Sequence, residues 1–250
     1  MQYGICPLSL VPLRHSPDET SEMTSQILFG EHFKILESRK YWSKIRILAD
    51  KCEGWIPNNQ LQFITKEEFD AIEEKAPVFA SDLIGFAERP NGILTAVLLG
   101  SSIHTLSDCL SVHFDGNKTK GKQKKENLIN TALLYLNSPE LRGGKSPFGI
   151  DASGFTQMVY KINGYNLLRT AEQQAKQGEA LSFVEESEPG DLAFFDDSGG
   201  VISHVGIIMD NNYIIHVNGM VRIDRIDHTG IFNSDLRNYS HQLRVIKKII

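Results

Sequence analysis

Cysteine is scarce in this 250-residue chain, and what there is sits early: Cys6, Cys52 and Cys109, with none after position 109. Three is an odd number, and no Cys-x-x-Cys pair exists, so a disulfide framework, a cysteine zinc site and a dithiol redox motif are all excluded. Reduced thiols are the expectation that follows. Long hydrophobic runs are also missing, and with them any stretch fit to span a bilayer. Positive charge falls short of negative: 26 Lys and Arg against 31 Asp and Glu, a net charge of −5 and a pI near 5.9. That balance argues against a general nucleic-acid binder or a binder of anionic membranes. The N-terminal Met-Gln-Tyr-Gly-Ile-Cys-Pro-Leu lacks a basic region followed by an apolar one, so no signal peptide is expected and a cytoplasmic monomer is.

What is present is an ordinary globular composition, 41% hydrophobic and 23% charged, in a chain long enough for one large domain or two to three small ones. Residues 1–64 read as short strands with close turns. Gly30-Glu31 divides Ile27-Leu28-Phe29 from Phe33-Lys34-Ile35-Leu36, Tyr41 to Ile47 alternates, and Glu53-Gly54-Trp55-Ile56-Pro57 follows. Strands of this length suggest a small barrel. Thr65 with Glu68 forms a capping-box pattern ahead of Phe69 and Ile72, which predicts a helical linker over 65–76. Strand-like runs return over 77–117 (Gly92 to Leu99, Ser102 to Leu106, Leu110 to Phe114). The lysine-rich Lys118 to Lys125 reads as a solvated interdomain loop.

From Glu126 the period changes. Leu128, Ile129, Ala132, Leu133 and Leu136 recur at helical spacing until Asn137-Ser138-Pro139. A turn rich in Gly and Pro, Gly143 to Gly154, leads into a second helix over 152–162, with apolar Phe155, Met158, Val159 and Ile162. A short helix is expected over 171–178. Strands are expected at 191–195, 202–209, 213–218, 221–226 and 243–250. Helices first and an antiparallel sheet afterwards indicate an α+β domain.

The start of the 152–162 helix is shaped for reactive chemistry, because free N–H groups and the positive end of the helix dipole favour a thiolate or an oxyanion there. The residue in that place is Ala152, which can do no chemistry. Two histidines lie within the strands. Alternation puts His204 on one face with Gly206 and Ile208, and His216 on one face with Ile214 and Asn218. The link is Asp210-Asn211-Asn212. A three-residue loop would make the two histidines neighbours on the same face; a two-residue loop would separate them.

In this order the residues resemble the NlpC family of papain-like cell-wall peptidases. Gly-Gly-Lys-Ser-Pro-Phe-Gly-Ile-Asp-Ala-Ser-Gly-Phe-Thr-Gln, residues 143–157, looks like that family's nucleophile motif, in which Asp-Cys-Ser-Gly precedes an aromatic residue and Cys stands where Ala152 stands. Gly190-Asp191-Leu192, Ser203-His204-Val205-Gly206-Ile207, Ile214-Ile215-His216-Val217 and Leu168-Arg169-Thr170-Ala171 resemble further family segments. The early Gly-Glu, Trp-Ser-Lys-Ile-Arg and Glu-Gly-Trp-Ile run resembles a bacterial SH3-type domain. The resemblance implies an α+β architecture with a papain-like catalytic domain at 126–250, helices packed on an antiparallel sheet. It also implies a small SH3-like β-barrel ahead of that domain, at 1–64, and the strand-like runs over 77–117 read as a second, degenerate one. The SH3-bearing subgroup cleaves γ-D-glutamyl–diamino-acid bonds in short peptidoglycan peptides with a free N-terminal L-Ala, as in murein recycling.

Carried onto this sequence, the resemblance gives Ala152 the nucleophile's place, His204 the general base and His216 the group that fixes the His204 tautomer. Asp151 is either the helix N-cap or a partner for the substrate's free amine, and one carboxylate oxygen could serve each role. Ser153, Thr170 and Glu53 complete the expected substrate contacts, although Glu53 also reads as a plain solvated side chain at a turn. Where the family commonly has Pro-Tyr-x-Trp-Gly-Gly, this chain has Pro139-Glu140-Leu141-Arg142-Gly143-Gly144. Glu140 and Arg142 then either alter the cleft wall or pair with each other on the surface.

No metal or organic cofactor is implied. Neither Ser153 nor the three early cysteines can replace the missing thiol, so the chain is expected to be inactive as written. Two explanations fit, a deliberate Cys-to-Ala replacement and a natural pseudoenzyme that binds peptidoglycan fragments. The intact His204, His216, Asp151 and Ser153 favour the first. An acyltransferase or amidase on the same scaffold is a third reading, since fold does not fix substrate.

Overall fold

Alternation of buried and exposed side chains builds most of this molecule, because a strand with one covered face repeats every second residue. The structure, a computed structural model, describes residues 2–104, 109–197 and 199–250. It divides into two compact units: residues 1–122 with 142–147, and residues 123–141 with 148–250.

In the first unit, seven strands form one antiparallel sheet: β1 (Gln2–Ile5), β2 (Leu10–Arg14), β3 (Met23–Leu28), β4 (His32–Ser38), β5 (Trp42–Ile47), β6 (Glu53–Pro57) and β7 (Gln62–Ile64), in the order β3-β2-β6-β5-β4-β1-β7. Their alternate residues Val11, Leu13, Ile27, Phe33, Ile35, Ile45, Ile47 and Ile56 make one apolar cluster. Helix α1 (Lys66–Glu73) starts at Thr65, whose hydroxyl accepts from the Glu68 N–H while the Glu68 carboxylate accepts from the Thr65 N–H, the reciprocal cap that the sequence signals.

Five short strands follow: β8 (Val78–Ala80), β9 (Ile84–Glu88), β10 (Leu94–Leu98), β11 (His113–Phe114) and β12 (Lys118–Lys120). They form a three-stranded sheet, β10-β9-β11, and a two-stranded one, β12-β8. Ala80, Ala87, Val97 and Phe114 share a core with Ile5, Phe29, Ile64, Phe69 and Ile72. The strand expected over 102–106 runs into residues 105–108, outside the described ones. The lysine run is not simply a solvated loop: Lys118–Lys120 is a paired strand, and Lys125 bonds buried Asp191 at 2.8 Å and Glu188 at 2.9 Å. Glu140 and Arg142 each find their own partner, Glu140 accepting from the Gly219 N–H at 2.7 Å and Arg142 pairing with Glu22 at 2.8 Å.

The second unit begins with α2 (Asn127–Leu133), shorter than its pattern predicts. After β13 (Lys145–Ser146), which belongs to the first unit, the brief strand β14 (Gly149–Ile150) leads to α3 (Ala152–Ile162) and α4 (Ala171–Gln174). The apolar stripe of α3, Phe155, Met158, Val159 and Ile162, is buried, and α3 packs on α2 and on two strands of the sheet that follows. Each such side chain contributes roughly 1.5–3 kcal/mol by leaving water.

The sheet contains β15 (Glu179–Leu181), β16 (Leu192–Asp196), β17 (Ile202–Met209), β18 (Tyr213–Asn218), β19 (Met220–Ile226), β20 (Gly230–Asn233) and β21 (Asn238–Lys248). Because β21 pairs with β16 and also with β20, six strands close on themselves, with β15 added along the outside of β21. This closure is more than the plain antiparallel sheet read from the sequence. It comes from the length of β21, eleven residues, whose early part bonds β20 and later part β16. Among the described residues, no helix is long and apolar enough to cross a membrane.

Candidate active site

The site of interest lies in the second unit, where α3 packs on β17 and β18, the strands that carry His204 and His216. Asp151 has extended backbone angles and caps α3, its Oδ1 accepting from the Gly154 N–H at 2.7 Å. The oxygen left over for an amine is engaged: Arg169 donates from Nη2 to Oδ2 at 2.7 Å and from Nη1 to Oδ1 at 3.0 Å. The same Nη1 donates to Ser153 Oγ at 3.0 Å, and Arg169 is buried. Arg169 therefore ties Asp151 and Ser153 into one rigid cluster, with Ala152 between them as the first residue of the helix. Thr170 caps α4 through its hydroxyl, which accepts from the Gln173 N–H. Glu53, in the first unit, is held on its own sheet by Arg46 at 2.5 Å and Lys44 at 3.2 Å. Those two bonds, Arg46 first, keep its carboxyl below the usual range.

The link between β17 and β18 is the odd one. Met209 pairs with Tyr213, Ile208 with Ile214, and Gly206 with His216, so Asp210-Asn211-Asn212 turns the chain in three residues. Asn211 and Asn212 both adopt φ near +60°, a conformation Asn tolerates better than most residues. His204 and His216 consequently share a face, diagonal neighbours across the ladder. Gly206 is needed opposite His216, because a Cβ there would stand 2.9 Å from His216 Cβ.

The polar wiring of this face has a direction. Arg222 donates to both oxygens of Asp224, at 2.6 and 3.0 Å. Burial pushes the Asp224 carboxyl up, but the hydrogen bonds from His216 and Arg222 outweigh it and hold the group below its ordinary value. As a carboxylate, Asp224 accepts from His216 Nε2–H at 3.0 Å. With its Nε2–H given to Asp224, His216 offers a lone pair at Nδ1, which accepts from His204 Nε2–H at 2.9 Å. The last lone pair of the relay is at His204 Nδ1, which makes no hydrogen bond among the described residues. Burial, then His241 and His216, hold His204 well below the ordinary histidine value, so it is a neutral base near pH 7. A buried base whose free nitrogen is aimed by a carboxylate through a second ring is arranged to take a proton from an acid placed before it.

Two participants escape a reading of the sequence. Asp224 stands in the alternating run Arg222-Ile223-Asp224-Arg225, which looks like a solvated charged face; its burial was not foreseeable from that pattern. His241 precedes the residues read as the last strand. In the structure β21 starts at Asn238, and the His241 ring stacks on that of His204 at 3.9 Å and 21°. Burial first, and His216 next, lower its pKa to about 4, against an opposing pull from Asp224.

Comparison with known proteins bears on the same residues. Residues 141–238 match the NlpC/P60 family, and residues 13–61 match the bacterial dipeptidyl-peptidase SH3 domain. A gamma-D-glutamyl-L-lysine dipeptidyl-peptidase of Bacillus cereus (strain ATCC 10987 / NRS 248) is 37% identical over 230 residues, covering 78% of this chain and 67% of the relative. A protein of the same name from Bacillus subtilis (strain 168) is 27% identical over 216 residues, covering 77% and 71%. The crystal structure of an NlpC/P60 family protein from Bacillus cereus superposes with a TM-score of 0.83 over 99% of both chains at 19% identity, and so shares the fold.

Proposed function

Because this chain belongs to the NlpC/P60 family, we propose that its second unit is a papain-like peptidase domain for short peptidoglycan-derived peptides, γ-D-glutamyl-L-diamino acids with a free N-terminal L-Ala. It binds these peptides but does not hydrolyse them as sequenced. The accompanying domain reading assigns 1–64 and 77–117 to SH3-like modules and 126–250 to the peptidase. The relatives named gamma-D-glutamyl-L-lysine dipeptidyl-peptidases support the substrate class. The observation that carries the reading is the relay Asp224–His216–His204, which ends on an unoccupied acceptor nitrogen while the helix start at 152 carries only a methyl group.

The chemistry follows from these parts. A thiol at 152 would sit at the N-terminus of α3, where the dipole and free N–H groups favour the thiolate. Its proton would pass to His204 Nδ1, leaving a thiolate and an imidazolium stabilised through His216 by Asp224. Sulfur would attack the γ-carbonyl carbon, and the helix-start N–H groups would face the oxyanion. The imidazolium would return its proton to the departing amine, and water, deprotonated by the same nitrogen, would release the acid and restore the thiol. With Ala152 the first of these steps has no donor. Arg169 sets the geometry of Asp151 and Ser153 beside the reacting bond.

Restoring Ala152→Cys tests this. Hydrolysis of L-Ala-γ-D-Glu-L-Lys or its diaminopimelate counterpart by the variant, with saturable binding of the same peptide by the unmodified chain, is the expected result. Retained tight binding without turnover in the variant would favour the second reading, a fragment-binding pseudoenzyme. Absence of both binding and turnover would overturn the proposal.

A further inference from the structure

His204, His216 and His241 converge from three different strands, β17, β18 and β21, and one ring nitrogen of each lies within 4.8 Å of the others. We propose that these three imidazoles form a binding site for a divalent transition metal of the zinc class, built in part on the same two histidines as the relay.

Three nitrogen donors from rigid strands, with a fourth position left open, suit Zn²⁺, and imidazole is a ligand that this metal favours. The outer partners that fix ligand orientation are already in place. Asp224 accepts from His216 Nε2–H, so His216 Nδ1 is the donor atom, and Arg222 in turn fixes Asp224. Carboxylate–histidine pairs of this form orient metal ligands and raise their basicity. Ser240 Oγ donates to the Ile231 carbonyl at 3.4 Å and therefore accepts from His241 Nδ1–H at 2.9 Å, which leaves the His241 lone pair on Nε2.

His204 completes the set by a change of tautomer. Its proton moves from Nε2 to Nδ1, and Nε2 turns from donor to ligand with no net proton released. The metal then takes the place of the hydrogen bond between His204 Nε2 and His216 Nδ1, which stand 2.9 Å apart. With Zn–N bonds of about 2.0–2.1 Å, the nitrogens of a tetrahedral site are about 3.3 Å apart, so this pair opens by only a few tenths of an ångström. His241 is half-buried on β21, leaving an entry path from its side, and turns from its stack on His204 to bring Nε2 in.

Chelator-treated full-length protein, titrated with Zn²⁺ by calorimetry and with Co²⁺ by visible absorption, tests the site. One equivalent of Zn²⁺ should bind, with Co²⁺ giving the intense visible bands of a four-coordinate centre. His241→Phe keeps a stacking ring but no donor nitrogen, and His241→Ala removes both; each should weaken binding about tenfold or more. Failure to saturate at one equivalent overturns the proposal. So does unchanged affinity in both His241 variants, which would mark binding at surface histidines. Neither readout involves a peptide, so the fate of the peptidase proposal and that of the metal site are separable.

Discussion

At the residue scale, the decisive groups are histidines held neutral by burial. His204 lies well below the ordinary histidine value and His241 at about 4, while an unfolded histidine titrates near 6.5. A base whose folded pKa is depressed binds fewer protons folded than unfolded between the two values, so stability rises with pH across that window. Both rings face each other, His216 and the Asp224 carboxylate, with Arg222 behind it, and Asp224 tempers the effect on His241. Metal-free protein should therefore keep its full histidine contribution above about pH 6.5 and lose it progressively as the pH falls towards 4. Urea unfolding at a series of pH values measures this, and His241→Phe should flatten part of the slope. A stability independent of pH from 7 down to about 4 would contradict it.

At the element scale, the hairpin of β17 and β18 was the most legible part of the site. Alternation placed His204 with Gly206, and His216 with Ile214, and the loop Asp210-Asn211-Asn212 decided that both rings face one way. What alternation does not reveal is pairing between strands distant in sequence. His241 reaches His204 only because β21 bonds β16, Leu243 opposite Phe195 and Gln242 opposite Asp196, past an irregularity at Phe194 and Phe195. Asp224 is charged in a strand that reads as solvated, and becomes buried only once Arg222 and His216 meet it. Helix α3, by contrast, carries its own apolar stripe and cap, and the sequence alone predicts its bounds correctly. Gly206 makes the hairpin testable. In Gly206→Ala the new methyl meets Ile214 and His216 Cβ, so overpacking should cost about 1–3 kcal/mol and displace His216. Thermal unfolding reads the first effect, and loss of the shared His204–His216 hydrogen bond in imidazole NMR reads the second.

At the scale of the whole molecule, buried charge is paired in both units. The first unit buries an ion pair, Lys145 with Glu31 at 3.4 Å, between residues 114 positions apart, and Lys145 also donates its N–H to Gln26 Oε1 at 2.7 Å. Removing one member of a buried pair leaves a charge in the interior. Lys145→Met should thus destabilise by about 3–5 kcal/mol, and adding Glu31→Gln should recover part of the loss. Denaturant midpoints of the two variants measure the difference; equal midpoints for wild type and Lys145→Met would show that the pair contributes nothing.

The cysteines, by contrast, are distributed unevenly. Cys6, Cys52 and Cys109 all lie in the first unit, and burial pushes the Cys6 thiol up to about 12. The second unit has none. A site built on a low-pKa thiolate is the first thing an oxidant destroys, passing through sulfenic to sulfinic acid. With alanine at 152, the second unit offers peroxide no thiol at all.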